Sequence, residues 1–311
     1  MNNRIKKINF NHSFIFFLLC NIFSIVTFKI TYFAISPFIC LLLILSIGVS
    51  HGSLDNEKGR RLFQIFGINS FFIFYLSYIF ISLIVIVLWL IIPSISLIIF
   101  LIVASYHFGK EDTQFLIIRN SHLNQLLFFL KGSLIILAPL YFHFDETISI
   151  FKLLLIDNES FYKLLDLIET NKILLYSIIL STLSNIILFT KNFDFKKFTI
   201  FLDYFSILII NYYFSPLVAF TIYFCFLHSV RHSISLIFEL NENDLINGLK
   251  IFTKKALPLT ILTATFCFLG LYLLNNTYNF DSSILKIIFI GLASLTFPHI
   301  LLEYLIEKNE K

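Results

Sequence analysis

About ten apolar segments, each long enough or nearly long enough to cross a lipid bilayer, follow one another along this 311-residue chain. A membrane span needs about 20 apolar residues in helical form. Within lipid the backbone must satisfy its own hydrogen bonds, and continuous apolar runs without strand alternation favour helices over barrel strands. The segments are residues 13–28, 31–50, 69–92, 94–109, 123–142, 173–190, 198–214, 216–239, 257–275 and 284–306. We therefore predict an all-α, polytopic integral membrane helical bundle of about ten transmembrane helices, with eight as the alternative count.

The composition supports the same fold class and argues against nucleic-acid binding, a disulfide framework and a thiolate zinc site. Only 14% of the residues are charged, against about 25% in soluble domains. The net charge of +4 is spread over many loops, which gives no support for nucleic-acid binding. The four cysteines lie in apolar runs without C-x-x-C spacing, so neither a disulfide frame nor a thiolate zinc site is predicted. No cleavable signal peptide is expected, because the first run lacks a small-residue cleavage site. Residues 1–311 are expected to form one membrane-embedded domain.

The basic residues predict an orientation for these segments. With the N-terminus and the C-terminus cytoplasmic, sixteen of the 23 Lys and Arg residues lie in cytoplasmic loops. Only four lie in outer loops, at Lys29, Lys152, Lys163 and Lys172. The longest outer loop, residues 143–172, mixes apolar and charged residues, which predicts short helices lying in the membrane interface.

Histidines within the apolar segments are the main indication of function. Five of the eight lie on segments that run from outside to inside in this layout, and they are His51, His107, His228, His232 and His299. A helix rises about 1.5 Å per residue, which places all five roughly 18–30 Å along their segments, in the cytoplasmic half. Ionisable groups at membrane depth are costly and usually functional. Several imidazoles at one level therefore predict a metal site inside the bundle.

Spacing within the motifs supports this prediction. His228 and His232 are four residues apart, so both rings lie on one face of a helix, as two ligands of one metal do. Ligating histidines usually donate their other ring N–H to a carboxylate or a carbonyl. Suitable acids are Asp55, four residues after His51, Asp112, five after His107, and Glu303, four after His299. Gly52 and Gly109 directly follow two of the histidines and permit close backbone approach.

Each of these features has a purely structural alternative. A lone histidine in an apolar helix more often bonds a carbonyl group or packs against a neighbour, and His299 is open to both interpretations. Asp55 and Asp112 are also suited to be helix-end acids that face the cytoplasm. Arg231 is expected either to extend its charged group to the membrane surface or to pair with an acid such as Glu239. The convergence of the histidines favours the metal site.

Taken together, the motifs resemble the Brp/Blh family of bacterial and archaeal β-carotene 15,15′-dioxygenases, membrane proteins that supply retinal to rhodopsins. The family's His-Gly-x-x-Asp, His-Phe-Gly-x-x-Asp, H-x3-H and Pro-His motifs correspond to His51–Asp55, His107–Asp112, His228 with His232, and Pro298–His299. The resemblance spans about residues 45–303. Two positions depart from it, since Asn56 stands where a histidine is expected and Ser53 where alanine is common. Ten helices also exceed the number usual for the family.

The resemblance implies an activity, a cofactor and a set of ligands. A non-haem Fe(2+) would be bound by His51, His107, His228 and His232, with O2 as co-substrate. The reaction would cleave the central 15,15′ double bond of β-carotene, or of a related carotenoid from the lipid phase, to two molecules of all-trans-retinal. The candidates for residues that support the ligands from outside are Asp55, Asp112, Arg231, His299 and Glu303. A functional link to a microbial rhodopsin and a multi-pass location in the bacterial inner (plasma) membrane are also implied.

Three other classes of membrane protein remain as alternatives. A di-iron desaturase or hydroxylase usually needs about eight clustered histidine ligands, several of them adjacent, and this chain has no His-His pair. A haem-binding or electron-transfer protein needs two histidines facing each other across the haem, for which His107 and His228 are suitable. A transporter with intramembrane proton relays predicts inverted repeats, and no such symmetry is visible in the sequence.

Overall fold

The computed structural model describes residues 3–28, 35–68, 70–117 and 121–309, and within these ranges the chain is helical with no strand. The α-helices are α1 (Asn3–Phe28), α2 (Pro37–Leu43), α3 (Asp55–Ile65), α4 (Phe71–Ile91), α5 (Pro93–Glu111), α6 (His122–Phe142), α7 (Phe144–Leu153), α8 (Glu159–Thr170), α9 (Ile173–Thr190), α10 (Phe198–Tyr213), α11 (Pro216–Ile222), α12 (Val230–Leu240), α13 (Leu245–Leu274) and α14 (Phe280–Asn309). Two π-helical turns, Ile44–Gly48 and Tyr223–Ser229, and a 3-10 segment, Val49–Leu54, interrupt the longer helices.

The predicted all-α membrane bundle is confirmed. Eight helices in the described ranges are long and apolar enough to span a membrane, or nine if a bent pair counts as one span. That pair, Pro37–Gly48 and Gly52–Ile65, is bent by 44° and overlaps the second predicted segment from residue 37 onward, while residues 31–34 of that segment lie outside the described ranges. The seventh predicted segment is α10, which has 16 residues. At about 1.5 Å per residue, α10 is shorter than the roughly 30 Å hydrocarbon core. The observed count therefore agrees better with eight than with ten.

Two helices begin about ten residues before their predicted starts, because their first turns are polar and hydropathy does not mark them. The first turns of α1 pack inside the bundle, where Asn9 and Ser13 are buried. The start of α13 is fixed by Asp244, whose side chain accepts hydrogen bonds from the backbone N–H groups of Ile246 and Asn247. The short helices predicted between residues 143 and 172 are α7 and α8.

Small residues allow α5 and α6 to approach closely, and these two helices make the most extensive helix–helix contact in the described ranges. A Cβ built on Gly132 would lie 1.9 Å from the carbonyl oxygen of Ser105, and one built on Gly109 would lie 1.8 Å from that of Phe128. No side chain fits at such distances from a backbone atom. Small residues at a helix contact serve this purpose in membrane proteins. The contact fixes the position of the end of α5, which carries His107.

We expect the substitution Gly132→Ala to destabilise the protein, because its methyl group would force α5 and α6 apart. Overpacking of this kind costs about 1–3 kcal/mol. Gly291→Ala in α14 is the matched control, since nothing lies within 4 Å of a Cβ at that position. In the control, alanine should stabilise the helix by about 0.5–1 kcal/mol. Unfolding in detergent micelles should therefore shift in opposite directions for the two variants, and equal shifts would contradict this account of the contact.

Candidate metal centre

Four of the five histidines predicted to share a level lie together in the structure. They are His107 at the end of α5, His228 in the π-helical turn Tyr223–Ser229, His232 in α12 and His299 in α14. The ring centroid of His107 is 5.3 Å from that of His228 and 5.4 Å from that of His299, and the centroids of His232 and His299 are 6.0 Å apart. All four side chains are buried. Three separate stretches of the chain therefore bring imidazoles into one enclosed space.

The fifth histidine, His51, belongs to the 3-10 segment Val49–Leu54, but its side chain lies outside the described residues. The segment itself reaches the site, because a Cβ on Gly52 would lie 3.9 Å from Nδ1 of His299. The π-helical turn that precedes this segment, Ile44–Gly48, packs closely against the second π-helical turn, Tyr223–Ser229. A Cβ on Gly48 would lie 2.5 Å from the ring of Phe224, and Ser229 donates a hydrogen bond to the Gly48 carbonyl at 3.2 Å. π-Helical turns within helices are frequent at functional sites.

Three of the histidines each direct Nδ1 at a different carboxylate. His228 Nδ1 is 3.2 Å from Asp112, His232 Nδ1 is 3.0 Å from Glu111, and His299 Nδ1 is 2.8 Å from Asp55. An imidazole that donates from Nδ1 carries its lone pair on Nε2, the arrangement that metal-ligating histidines have. Three independent histidine–carboxylate pairs therefore indicate that the Nε2 atoms of these three histidines serve one shared function.

The acids have different partners from those that sequence adjacency predicted. Asp112 bonds His228 rather than His107, because the chain turns away after α5 and directs that carboxylate toward Tyr223–Ser229. Asp55 bonds His299, which is 244 residues further along the chain. Glu111 was not predicted, and its position beside Asp112 at the end of α5 is its only signal in the sequence.

Two tyrosines, also not predicted, hold two of these carboxylates. Tyr223 donates its hydroxyl hydrogen to Asp112 at 2.6 Å, and Tyr78 donates to Asp55 at 2.9 Å. Each of these carboxylates is therefore fixed on one side by a phenol and on the other by an imidazole. Hydrogen bonds of this kind stabilise a buried carboxylate that would otherwise be costly to place in the bundle.

Glu303 lies among the histidine nitrogens. Its carboxylate oxygens are 3.8 Å from His107 Nδ1, 3.7 Å from His299 Nε2 and 4.0 Å from His232 Nε2. Lys58 Nζ lies 3.0 Å from the same carboxylate. The ligand atoms of two groups, His107 with His299 and Glu303, and Glu111 with His232 and Glu303, each lie within 4.8 Å of one another.

This set of donor atoms is suitable for a metal ion. Nitrogen and oxygen ligands lie about 2.0–2.2 Å from a bound divalent ion, so two ligands of one ion are roughly 3–4 Å apart. The separations around Glu303 fall in this range and exceed hydrogen-bonding distance. Imidazole and carboxylate together suit non-haem iron. The residues present therefore fit the predicted ion, although which of them bind it remains a prediction.

Arg231 does not extend to the membrane surface, and it pairs with an acid as the second alternative expected, but that acid is Asp203 rather than Glu239. It is 1% exposed and makes a two-pronged ion pair with Asp203 at 2.7 and 2.9 Å. It also donates a hydrogen bond to the Asp112 carbonyl at 3.1 Å. Glu239 pairs instead with Arg61 at the exposed surface. Glu239 lies on α12 with Arg231, whereas Asp203 lies on α10, so adjacency on one helix does not determine the pairing.

An apolar cavity of about 260 Å³ adjoins the histidines. It lies between α4, α13 and α14, and its inner wall includes His107 and His299. Leu262 and Phe266 of α13 form part of its lining and are also 51% and 64% exposed on the outside of the bundle. The rim of the cavity is therefore at the surface that faces lipid. This is the geometry expected of a site that takes an apolar molecule from the membrane.

Comparison with known proteins identifies a family that this chain matches. The family model for Beta-carotene 15,15'-dioxygenase matches residues 42–307, a range that contains every predicted site residue. A protein from Uncultured marine bacterium 66A03, named Beta-carotene 15,15'-dioxygenase, is 26% identical over 272 residues. The alignment covers 84% of this chain and 90% of that relative. No solved structure matches the chain.

Proposed function

This chain belongs to the beta-carotene 15,15'-dioxygenase family, and we propose that it cleaves the central 15,15′ double bond of β-carotene with O2 to give two molecules of all-trans-retinal. In this proposal Fe(2+) is held by His51, His107, His228 and His232, and the retinal supplies a microbial rhodopsin. The enzyme would work as a multi-pass protein of the bacterial inner membrane. The iron, when bound, supplies the activation of O2, which an alkene does not react with unaided.

The residues of the chain orient the histidine rings and enclose the site. Asp112 and Glu111 hold the Nδ1 atoms of His228 and His232, which keeps both Nε2 atoms directed into the site. The apolar walls around the site exclude water, which protects reactive oxygen species from side reactions. Addition of oxygen to an alkene requires no proton at the reacting carbons. Asp55 and Asp112 therefore act by orienting imidazoles, and Glu303 by balancing charge beside them.

The observation that carries the proposal is the contact between the apolar cavity and the buried histidines. Of the cavity's lining, His107 and His299 are the histidines, and most of the remainder is aliphatic or aromatic. A long polyene partitions into lipid and would reach such a site through the rim formed by α13. Holding the middle of that chain near the histidines would select one double bond, because position limits which bond reacts.

Expression in a β-carotene-producing bacterium tests the function directly. Cells that make this protein should lose their orange colour and accumulate retinal, identified by chromatography against an authentic standard. A strain with the empty vector is the control for spontaneous bleaching. Unchanged carotenoid would contradict the proposed activity, and loss of colour with shorter or longer aldehydes but no retinal would contradict central cleavage.

Filling the cavity should weaken the use of carotenoid without disturbing the metal. Thr263 of α13 lines the cavity, whereas Thr265, two residues later, is exposed on another face of the same helix. Thr263→Trp should lower kcat/KM for β-carotene roughly tenfold or more, because the indole would occupy space that the substrate needs and each loss of about 1.4 kcal/mol is a factor of ten. Thr265→Trp should leave kcat/KM close to that of the wild type. Equal effects of the two changes would argue against this cavity as the substrate site.

A further inference from the structure

We propose that His299 is a direct ligand of the metal, in addition to the four histidines of the motif-based prediction. The inference rests on the proposed function for the identity of the ion, but its evidence is the geometry around His299. His299 is 4% exposed and lies deep in α14. Its ring is in edge contact with that of His107.

Two hydrogen-bonded triads, each made of a tyrosine, an aspartate and a histidine, meet at the site. In one, Tyr223 donates to Asp112 at 2.6 Å, and Asp112 is 3.2 Å from Nδ1 of His228. In the other, Tyr78 donates to Asp55 at 2.9 Å, and Asp55 is 2.8 Å from Nδ1 of His299. The second triad is assembled from α4, α3 and α14, and the first from α5 and the π-helical turn. The two triads share no residue, yet each places one imidazole in the same enclosed space.

The orientation of His299 follows from its triad. With Nδ1 directed at Asp55, the lone pair of the neutral ring is on Nε2. Nε2 lies 3.7 Å from Glu303 Oε1, a distance too long for a hydrogen bond and suitable for two ligands of one ion. His232 Nε2 lies 4.0 Å from the same oxygen atom. His299 thus presents to the site the same ring atom, at a similar distance from Glu303, as a histidine already assigned to the metal.

The competing explanation is a structural ion pair between a protonated His299 and Asp55. That explanation accounts for one contact, at Nδ1, but not for the second tyrosine triad or for the position of Nε2 near Glu303, beside the His107 ring. A buried ion pair alone contributes little stability, because desolvation opposes the attraction of the charges. With His299 included, the donor set becomes five imidazoles.

The test measures metal binding by the purified full-length protein. Co(2+) serves as a spectroscopic probe of the site. His299→Gln should weaken Co(2+) binding by more than about 100-fold and alter the visible absorption of the bound ion. Loss of a group that is only hydrogen-bonded to a ligand costs roughly 10- to 100-fold in metal affinity, so loss of a ligand should cost more. His12→Gln is the matched control, because His12 bonds the Phe226 carbonyl at 2.8 Å outside the cluster. A folded His299→Gln protein with unchanged affinity and spectrum but a lower unfolding temperature would overturn the proposal in favour of the ion pair.

A second variant keeps the proposal testable if His299→Gln does not fold. Tyr78→Phe removes one hydroxyl group and leaves both Asp55 and His299 in place. It should weaken Co(2+) binding about tenfold, the lower end of the range for outer partners, whereas Tyr75→Phe, on the same helix and also lining the cavity, should not. Unchanged Co(2+) affinity and absorption in Tyr78→Phe would overturn the proposal. Wild-type protein that binds metal but forms no retinal would refute the proposed function alone and leave the ligand inference standing.

Discussion

Replacing His228 with alanine should abolish iron binding and retinal formation while leaving the protein folded. The ring of His228 is 1% exposed, and Nδ1 is held by Asp112, which Tyr223 holds in turn. Loss of an outer partner of a ligating histidine costs roughly 10- to 100-fold in metal affinity, so loss of the ligand itself should cost more than 100-fold. Iron per chain, measured by mass spectrometry after purification, and the initial rate of retinal formation are the two readouts.

The control for this variant is His143→Ala. His143 lies at the junction of α6 and α7 and is half-buried beside Glu146, outside the histidine cluster. It should retain both iron and activity. The outcome that removes His228 from the ligand set is a folded His228→Ala protein with a full complement of iron. Iron retained with activity lost would instead assign His228 to substrate positioning.

The helices and the level of the histidines could be predicted because both follow from local sequence. Apolar runs long enough to span lipid identify α4, α5 and α6, since backbone in lipid must be helical. A constant rise per residue then converts position along each run into depth. That reasoning placed His107, His228, His232 and His299 at one level, and the structure brings these four rings together.

The partners of the histidines could not be predicted in the same way. Asp55 and Asp112 were expected to serve the histidines of their own motifs, but the structure pairs them with His299 and His228. Rotation of each helix about its own axis decides which neighbour a carboxylate meets. Local spacing contains no information about that rotation. The two tyrosines that hold the carboxylates carry no sequence signal for the same reason.

The lengths of the helices were underestimated where polar residues are buried by the bundle. Asn9 and Ser13 belong to α1, although hydropathy begins the segment only at residue 13. Their polar groups lie against other helices rather than in water, and Ser13 donates to Asp203 at 2.8 Å. The apolar scale measures preference for lipid, so it does not recognise a helical turn whose polar side chains are buried within the protein.

Replacing Arg231 with methionine should destabilise the protein more than any other single change outside the histidine cluster. The guanidinium joins three parts of the bundle, since it pairs with Asp203 in α10, donates to Ser13 in α1 at 2.6 Å and bonds the Asp112 carbonyl. Removing one partner of a buried ion pair costs about 3–5 kcal/mol, because the other charge is left without compensation. Because Asp112 also holds His228, iron affinity should fall together with stability.

Two comparisons separate the loss of the ion pair from the loss of packing. Arg61→Met breaks the exposed pair with Glu239 and should change the free energy of unfolding by less than about 1 kcal/mol. The double variant Arg231→Met with Asp203→Leu removes both charges and should recover much of the stability that Arg231→Met loses, since apolar groups of similar volume often replace a buried pair without cost. Denaturation in detergent micelles measures all three. If Arg231→Met and Arg61→Met lose equal stability, the buried pair does not hold these helices together; if the double variant is no more stable than Arg231→Met, the loss comes from packing rather than from the unpaired carboxylate of Asp203.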